Sequence, residues 1–271
     1  MRSITIGQYI PTDSVIHRLD PRTKIMATLM YIVLLFLIRN FSGYAMVLGY
    51  LALITILAKL KFSYLYKGLR GVFFLILFTT ALNLFLTRGQ GEPLFQLGFV
   101  RIYREGLNLA LYMTLRLIFL VLGTSLLTLT TSPIELTDGI EKLLSPFKRF
   151  GMPAHELAMM MSIALRFIPT LMDETDKIMK AQMARGADFE SKNLVKKARS
   201  LIPILVPLFI SSFRRAEDLA MAMEARCYRG GEGRTRMKEL MYTPHDFIAY
   251  AVFALLAAGI ILIGMPRFGL P

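Results

Sequence analysis

Two arginines stand out by their neighbours. Arg185 lies in Met183-Ala184-Arg185-Gly186, and Arg226 lies in Glu224-Ala225-Arg226-Cys227, followed by Tyr228-Arg229-Gly230-Gly231. A guanidinium is a planar fork of donors suited to a carboxylate or to the open carbonyls of a helix end. Ala184 and Gly186 flank Arg185 without bulk, as Ala225 and Cys227 flank Arg226. Each arginine can therefore enter a narrow groove with its backbone close behind. One such end is explained well enough by an arginine complementing the helix dipole. Two matching ends on two similarly patterned helices point instead to docking on something soluble.

Other chemistry finds no support. The chain lacks a G-x-x-x-x-G-K-S/T loop, so it cannot cradle ATP phosphates in that way. His17, His155 and His245 are far apart and show no paired ligand spacing, so neither a metal nor another cofactor is expected. Cys227 is the one cysteine, which excludes an intramolecular disulfide. Arg226 beside it would favour a thiolate, but a small packing residue is the plainer reading. Methionine is the second clue. Met159, Met160, Met161, Met172, Met179 and Met183 crowd the first arginine-tipped segment, and Met221 and Met223 the second. Flexible thioethers suit a surface that repacks against different partners, and they also serve as lipid-facing or core filler.

The elements that must hold these tips are mostly membrane. Of 271 residues 55% are hydrophobic and only 19% charged, below the roughly 25% of soluble domains. The net charge of +13 would suggest nucleic acid in a soluble protein; here it marks cytoplasmic segments, and no nucleic-acid partner is expected. The first 24 residues lack the apolar core of a signal peptide. Asp20 before Pro21 predicts a helix start, an acceptor at N-cap and proline at N1. Apolar runs follow at 25–38, 44–58, 72–86, 107–131 and 247–265. A span needs about 20 residues. The first two runs are short and read as a tight hairpin of two spans. The spacing thus predicts an all-α membrane protein of about five transmembrane helices. Residues 1–131 are expected to be lead-in plus four spans, 132–246 a cytoplasmic helical insert, and 247–271 the last span with the C-terminus outside. With the N-terminus inside, 26 of the 32 Lys and Arg fall in 1–24, 59–70 and 132–246. Five lie outside and Arg116 lies in a span, where Asn83 or the outer interface is its expected partner.

Within the insert, 133–150 predicts a short amphipathic helix broken by Gly151 and Pro153. A long helix starts near Ala154, with a seam of Leu157, Met161, Ala164, Ile168, Leu171 and Ile178. Gly186 stops it, and 187–197 is polar. A second long helix runs from about Lys196 to Arg226, with a seam of Leu201, Leu205, Leu208, Ser212, Leu219 and Met223. Pro203 and Pro207 lie one turn apart in it. Each holds about 31 residues and reaches roughly 45 Å.

The chain resembles the transmembrane T component (EcfT/CbiQ type) of energy-coupling factor (ECF) transporters, prokaryotic importers of vitamins and metal ions. The likeness covers nearly the whole chain. It rests on Ser14-x-Ile16-His17-x-Leu19-Asp20-Pro21-Arg22-x-Lys24, on Leu165-Arg166-Phe167-Ile168-Pro169 running into Ala184-Arg185-Gly186, and on Ala225-Arg226-Cys227. The resemblance implies a non-catalytic scaffold in the cell membrane whose two long coupling helices cross. It implies that two cytosolic ABC-type ATPases receive Arg185 and Arg226 in grooves. It also implies that Met159, Met160, Met161, Met172, Met221 and Met223 form a platform for a substrate-binding S component. Cys227 departs from the pattern, in which glycine is common. The alternative is the substrate-translocating permease of an ordinary ABC importer, which calls for polar residues along several spans and usually a single coupling tip.

Overall fold

The structure, a computed structural model, describes residues 9–38, 40–87, 95–97, 100–187, 189, 194–230 and 240–264. They are all-helical apart from one short hairpin. The chain separates into two units, one within Glu141–Glu239 and one within Gly7–Ile140 and Leu240–Pro271.

The second of these carries the apolar helices. α1 (Pro21–Leu37) begins as expected, with the Asp20 carboxylate accepting from Arg22 N at 2.8 Å and Pro21 in the first turn. α2 spans Phe41–Leu57, α3 Phe62–Leu86, α4 Arg104–Thr130 and α8 Pro244–Gly264. α3, α4 and α8 are long and apolar enough to cross a membrane. α1 and α2 are two separate helices of 17 residues, at the lower limit of a span. Between α3 and α4 a small antiparallel ladder, β1 (Phe95–Leu97) with β2 (Val100–Ile102), pairs Phe95 with Ile102. This hairpin was not expected.

α1 and α4 run antiparallel, and buried polar bonds fix their register. Lys24 Nζ donates to Thr130 O at 2.9 Å, and the Tyr31 hydroxyl to Phe119 O at 2.9 Å. Gly123 makes room for Tyr31: a Cβ there would lie 2.2 Å from Tyr31 Cε1. Leu35, Val47, Leu51, Phe119 and Leu126 pack around this contact, with Phe253 and Leu256 of α8. α3 lies along α4, with the Thr80 and Thr114 hydroxyls 2.6 Å apart. Its other side leaves Phe73, Phe74 and Phe78 exposed, a face suited to lipid.

The lead-in is folded against these helices. Ile10 N donates to Leu129 O at 3.1 Å. The His17 ring is bracketed, with Ser14 Oγ 2.7 Å from Nδ1 and Ile10 O 3.1 Å from Nε2. Lys24 Nζ also donates to His17 O at 3.0 Å. Asp246, fully buried at the start of α8, accepts from Thr243 N, Thr243 Oγ1 and the distant Asp20 N, at 2.7, 2.7 and 2.9 Å. The motif from Ser14 to Lys24 is thus a polar knot that joins the lead-in to α1, α4 and α8.

Three expectations change. The basic stretch 59–70 is mostly helix: α3 starts at Phe62, so Lys67 and Arg70 lie on it, long side chains that favour helix and reach outward. The segment from 133 to 150 is α5 (Pro133–Leu144) followed by a 3₁₀ turn (Ser145–Phe150), because Pro146 has no N–H to continue the α-helical ladder. Asn83 does not pair with Arg116. Its Nδ2 donates to Thr79 O at 2.8 Å, while Arg116 reaches Ile38 O at 3.5 Å and lies 5.2 Å from the Phe36 ring centre.

The other unit is an antiparallel helix pair. α6 spans Ala154–Ala184 and α7 Leu194–Ala225. α7 therefore starts two residues earlier than expected, while positions 188 and 190–193 of the polar stretch lie outside the described residues. Gly151, at φ +82°, closes the 3₁₀ turn before α6.

Candidate functional site: two arginine tips on an antiparallel helix pair

Both arginine-bearing ends adopt the same closing geometry. At the end of α6, Gly186 N donates to Met183 O at 2.9 Å and Ala187 N to Gln182 O at 3.0 Å. At the end of α7, Cys227 N donates to Glu224 O at 2.8 Å and Tyr228 N to Met223 O at 3.0 Å. In both cases these are the paired 5→2 and 6→1 bonds of the Schellman motif, which satisfy the last carbonyls of a helix. The arginine sits at C-cap, the last alanine before it, and a residue of positive φ after it. That residue is Gly186 at +88° and Cys227 at +56°. All six of Ala184, Arg185, Gly186, Ala225, Arg226 and Cys227 are exposed. Each guanidinium is thus carried on a defined turn rather than a loose tail.

Three contacts set the direction of the pair. The Gln182 amide donates to Pro203 O at 3.4 Å near one end. In the middle, the Glu174 carboxylate accepts from Ser211 Oγ and from Arg215 Nη2, the latter at 2.8 Å. At the other end, the Tyr228 hydroxyl stands 3.4 Å from His155 Nε2, whose Nδ1 faces Glu141 Oε1 at 3.1 Å. α6 and α7 therefore run antiparallel, and the two tips lie at opposite ends. The 31 residues of α6 make that separation roughly 45 Å. The Ser211 hydrogen bond, followed by Arg215, holds the Glu174 carboxyl below its ordinary value, so the clamp keeps its charge at neutral pH.

Sequence reasoning missed these clamps. Glu174, Ser211 and Arg215 look like ordinary surface polarity until the antiparallel register brings them together. The Gln182 contact carried a local signal. Pro207 has no N–H for the carbonyl four residues before it, so Pro203 O needs another donor, and α6 supplies one.

The expected seams are only half closed. On α7 Ile204 is buried and Leu208, Ser212, Leu219 and Met223 are half-buried, while Leu201 and Leu205 stay exposed. On α6 Leu157, Met161, Ala164 and Ile168 stay exposed, Leu171 and Ile178 are half-buried, and full burial is confined to Ala154 and Ala158. Antiparallel helices that touch through small residues and a polar clamp leave their broad apolar stripes uncovered. Of the methionines singled out, Met160, Met161, Met172 and Met221 are exposed, at 55%, 42%, 40% and 61%. Met159 and Met223 are half-buried. The site therefore combines two cationic tips with a wide apolar surface between them.

Known proteins match this chain over nearly its whole length. The profile of the CbiQ cobalt transport protein family matches residues 12–237. The energy-coupling factor transporter transmembrane protein EcfT of Clostridium kluyveri is 65% identical over 249 residues, 92% of each chain. Its counterpart in Thermosediminibacter oceani is 62% identical over 262 residues, covering 97% of this chain and 98% of the other. That of Bacillus subtilis is 49% identical over 258 residues, covering 95% and 97%.

Proposed function

The chain belongs to the family of energy-coupling factor transporter transmembrane proteins, and from that premise we propose that its two arginine tips dock two ABC-type ATPases, one at each end of the α6–α7 pair. The observation that carries this reading is the duplicated ending. Two exposed arginines sit on the same capped turn at opposite ends of one antiparallel pair. A single helix-dipole role needs neither the duplication nor the opposition. Arg185 and Arg226 each enter a groove and meet a carboxylate there, with small residues on both sides admitting the backbone.

The chain acts as a scaffold without catalysis of its own, and its partners hydrolyse ATP. The uncovered stripe around Met160, Met161, Met172 and Met221, with Met159 and Met223 at its margin, receives a substrate-binding S component. Motion of the ATPases, delivered about 45 Å apart, reaches that surface through the Glu174–Ser211–Arg215 clamp. The N-terminus and residues 132–246 lie on the cytoplasmic side of the cell membrane, a reading supported by the Lys and Arg of the short segments 1–24 and 59–70.

The test is the double change Arg185→Glu with Arg226→Glu, which puts repulsion at both ends. The variant chain, monodisperse by gel filtration, is expected to lose its ATPases on purification and to support no uptake. A well-behaved double variant that keeps both ATPases at the wild-type ratio would reduce these arginines to helix caps.

A further inference from the structure

A cleft runs between α1, α2, α4 and α8 at the end where the lead-in packs. Its inner part has a volume of about 180 Å³ and is lined by apolar side chains, among them Ala27, Leu53, Leu57, Ile248 and Val252. Its outer part is a recess of about 400 Å³ edged by Arg18, Lys59, Asp13 and His245. Val15, Leu57 and His245 line both, so the charged-rimmed recess adjoins the apolar cleft. Leu53 and Leu57 are each 45% exposed, and Ile248 is 61% exposed. In a membrane protein such a surface meets lipid.

The charges at the mouth are unequal. Arg18 donates from Nε and Nη2 to the Asp13 carboxylate at 2.9 and 2.8 Å, so that acidic group is already engaged. Lys59, held exposed on a backbone of φ +54°, has no ion-pair partner among the described residues. Arg18 and Lys59 against Asp13 leave one positive charge over. A free anion would use the basic recess and ignore the cleft. A neutral lipid would fill the cleft and ignore the charges.

We propose that this cleft binds one acidic phospholipid, its headgroup phosphate at Arg18 and Lys59 and an acyl chain between α2 and α8. The lipid would lie beside the polar knot of His17, Lys24 and Asp246, and would brace the lead-in against α1 and α8.

Native mass spectrometry of the full chain in neutral detergent tests this, with phosphatidylglycerol and phosphatidylcholine of identical acyl chains as probes. Wild type is expected to retain one phosphatidylglycerol and to hold it more tightly than phosphatidylcholine. Lys59→Asn keeps a residue tolerant of positive φ and removes the charge. It should weaken phosphatidylglycerol binding about fivefold and leave phosphatidylcholine unchanged. Val252→Trp, which fills the cleft, should weaken both lipids. If that variant is not monodisperse, Leu57→Trp at the exposed side of the cleft reads the same loss. Equal retention of the two lipids, or an unchanged Lys59→Asn, would overturn the proposal. So would displacement of phosphatidylglycerol by an equal concentration of glycerol phosphate, which would make this a site for a free anion.

Discussion

Cys227 occupies at one tip the backbone position that Gly186 occupies at the other, with φ of +56° and +88°. An L-residue in the left-handed region brings its Cβ close to the following carbonyl oxygen, at a cost of roughly 1–2 kcal/mol. Glycine escapes that cost. The end of α7 therefore carries a strained residue in a turn whose hydrogen bonds match those of the unstrained one.

Cys227→Gly is accordingly expected to tighten the second tip. Part of the gain is lost to the freer unfolded chain, so the net stabilisation is about 0.5–1 kcal/mol. Gly186→Ala should do the reverse at the first tip, by about 1 kcal/mol. Amide exchange at Tyr228 N–H and Ala187 N–H reads each turn directly, since these close the two motifs. Slower exchange at Tyr228 in the glycine variant and faster exchange at Ala187 in the alanine variant are the expected results. No change at either amide would mean that the turns are set by something other than φ.

The tips were legible in the sequence because a capped helix end is a local event. An arginine between small residues, Ala184 and Gly186 at one tip and Ala225 and Cys227 at the other, reports it without knowledge of the fold. The same holds for the start of α1 at Asp20 and Pro21 and for the stop at Gly151. What the sequence could not show was pairing across distance. Thr243 and Asp246 have the spacing of a capping box, and that much is local. The third bond to the Asp246 carboxylate comes from Asp20 N, 226 positions away. Glu174 finds Ser211 and Arg215 only because α6 and α7 run antiparallel. The seams misled for a related reason. Heptad spacing identifies an apolar stripe, but it does not say whether this chain or a partner covers it.

The lead-in should respond to pH through His17. Burial, and then the nearby Lys24 charge, hold the imidazole below its ordinary value of 6.5. The folded form therefore prefers a neutral ring, with Nε2 donating to Ile10 O and Nδ1 accepting from Ser14 Oγ. A depressed folded value gives stability that is complete above about 6.5 and falls as the pH drops below it. Amide exchange at Ile10, whose N–H bonds to Leu129 O, should quicken relative to its intrinsic rate between pH 7.5 and 5.5. In His17→Gln the same interval should have little effect on that exchange. An equal acceleration in both proteins would assign the pH response elsewhere.

The α1–α4 contact should be intolerant of one methyl group. A Cβ at position 123 would stand 2.2 Å from Tyr31 Cε1, and the ring cannot retreat because its hydroxyl is bonded to Phe119 O. Gly123→Ala is expected to cost about 1–3 kcal/mol as overpacking. A thermal unfolding series in detergent, compared with Gly71→Ala, where no heavy atom lies within 4 Å, isolates the steric part. Alanine favours a helix over glycine, so Gly71→Ala should lose no stability, and an equal loss there would show that the cost at position 123 is not the clash with Tyr31.

Opposed tips also predict how binding fails. If each arginine forms a buried pair with a carboxylate on its ATPase, removing one leaves an unpaired charge and costs about 2–5 kcal/mol at that end. If the pair sits on a rim, the cost is no more than about 1 kcal/mol. If two ATPases that contact each other are held at both ends of the α6–α7 pair, a weakened end stays at high local concentration while the other holds. Arg185→Ala and Arg226→Ala alone should therefore keep most of the complex, with faster dissociation visible on dilution. The double alanine variant should lose far more than the sum of the two in retained ATPase, because the tether is lost with the second contact. Surface-plasmon measurements on the chain in nanodiscs, with the ATPases in solution, give the dissociation rates for all four proteins. A double variant whose loss equals the product of the single losses would show the two tips acting independently and the bivalent grip absent. A single variant that already releases both ATPases would place the whole affinity at one end.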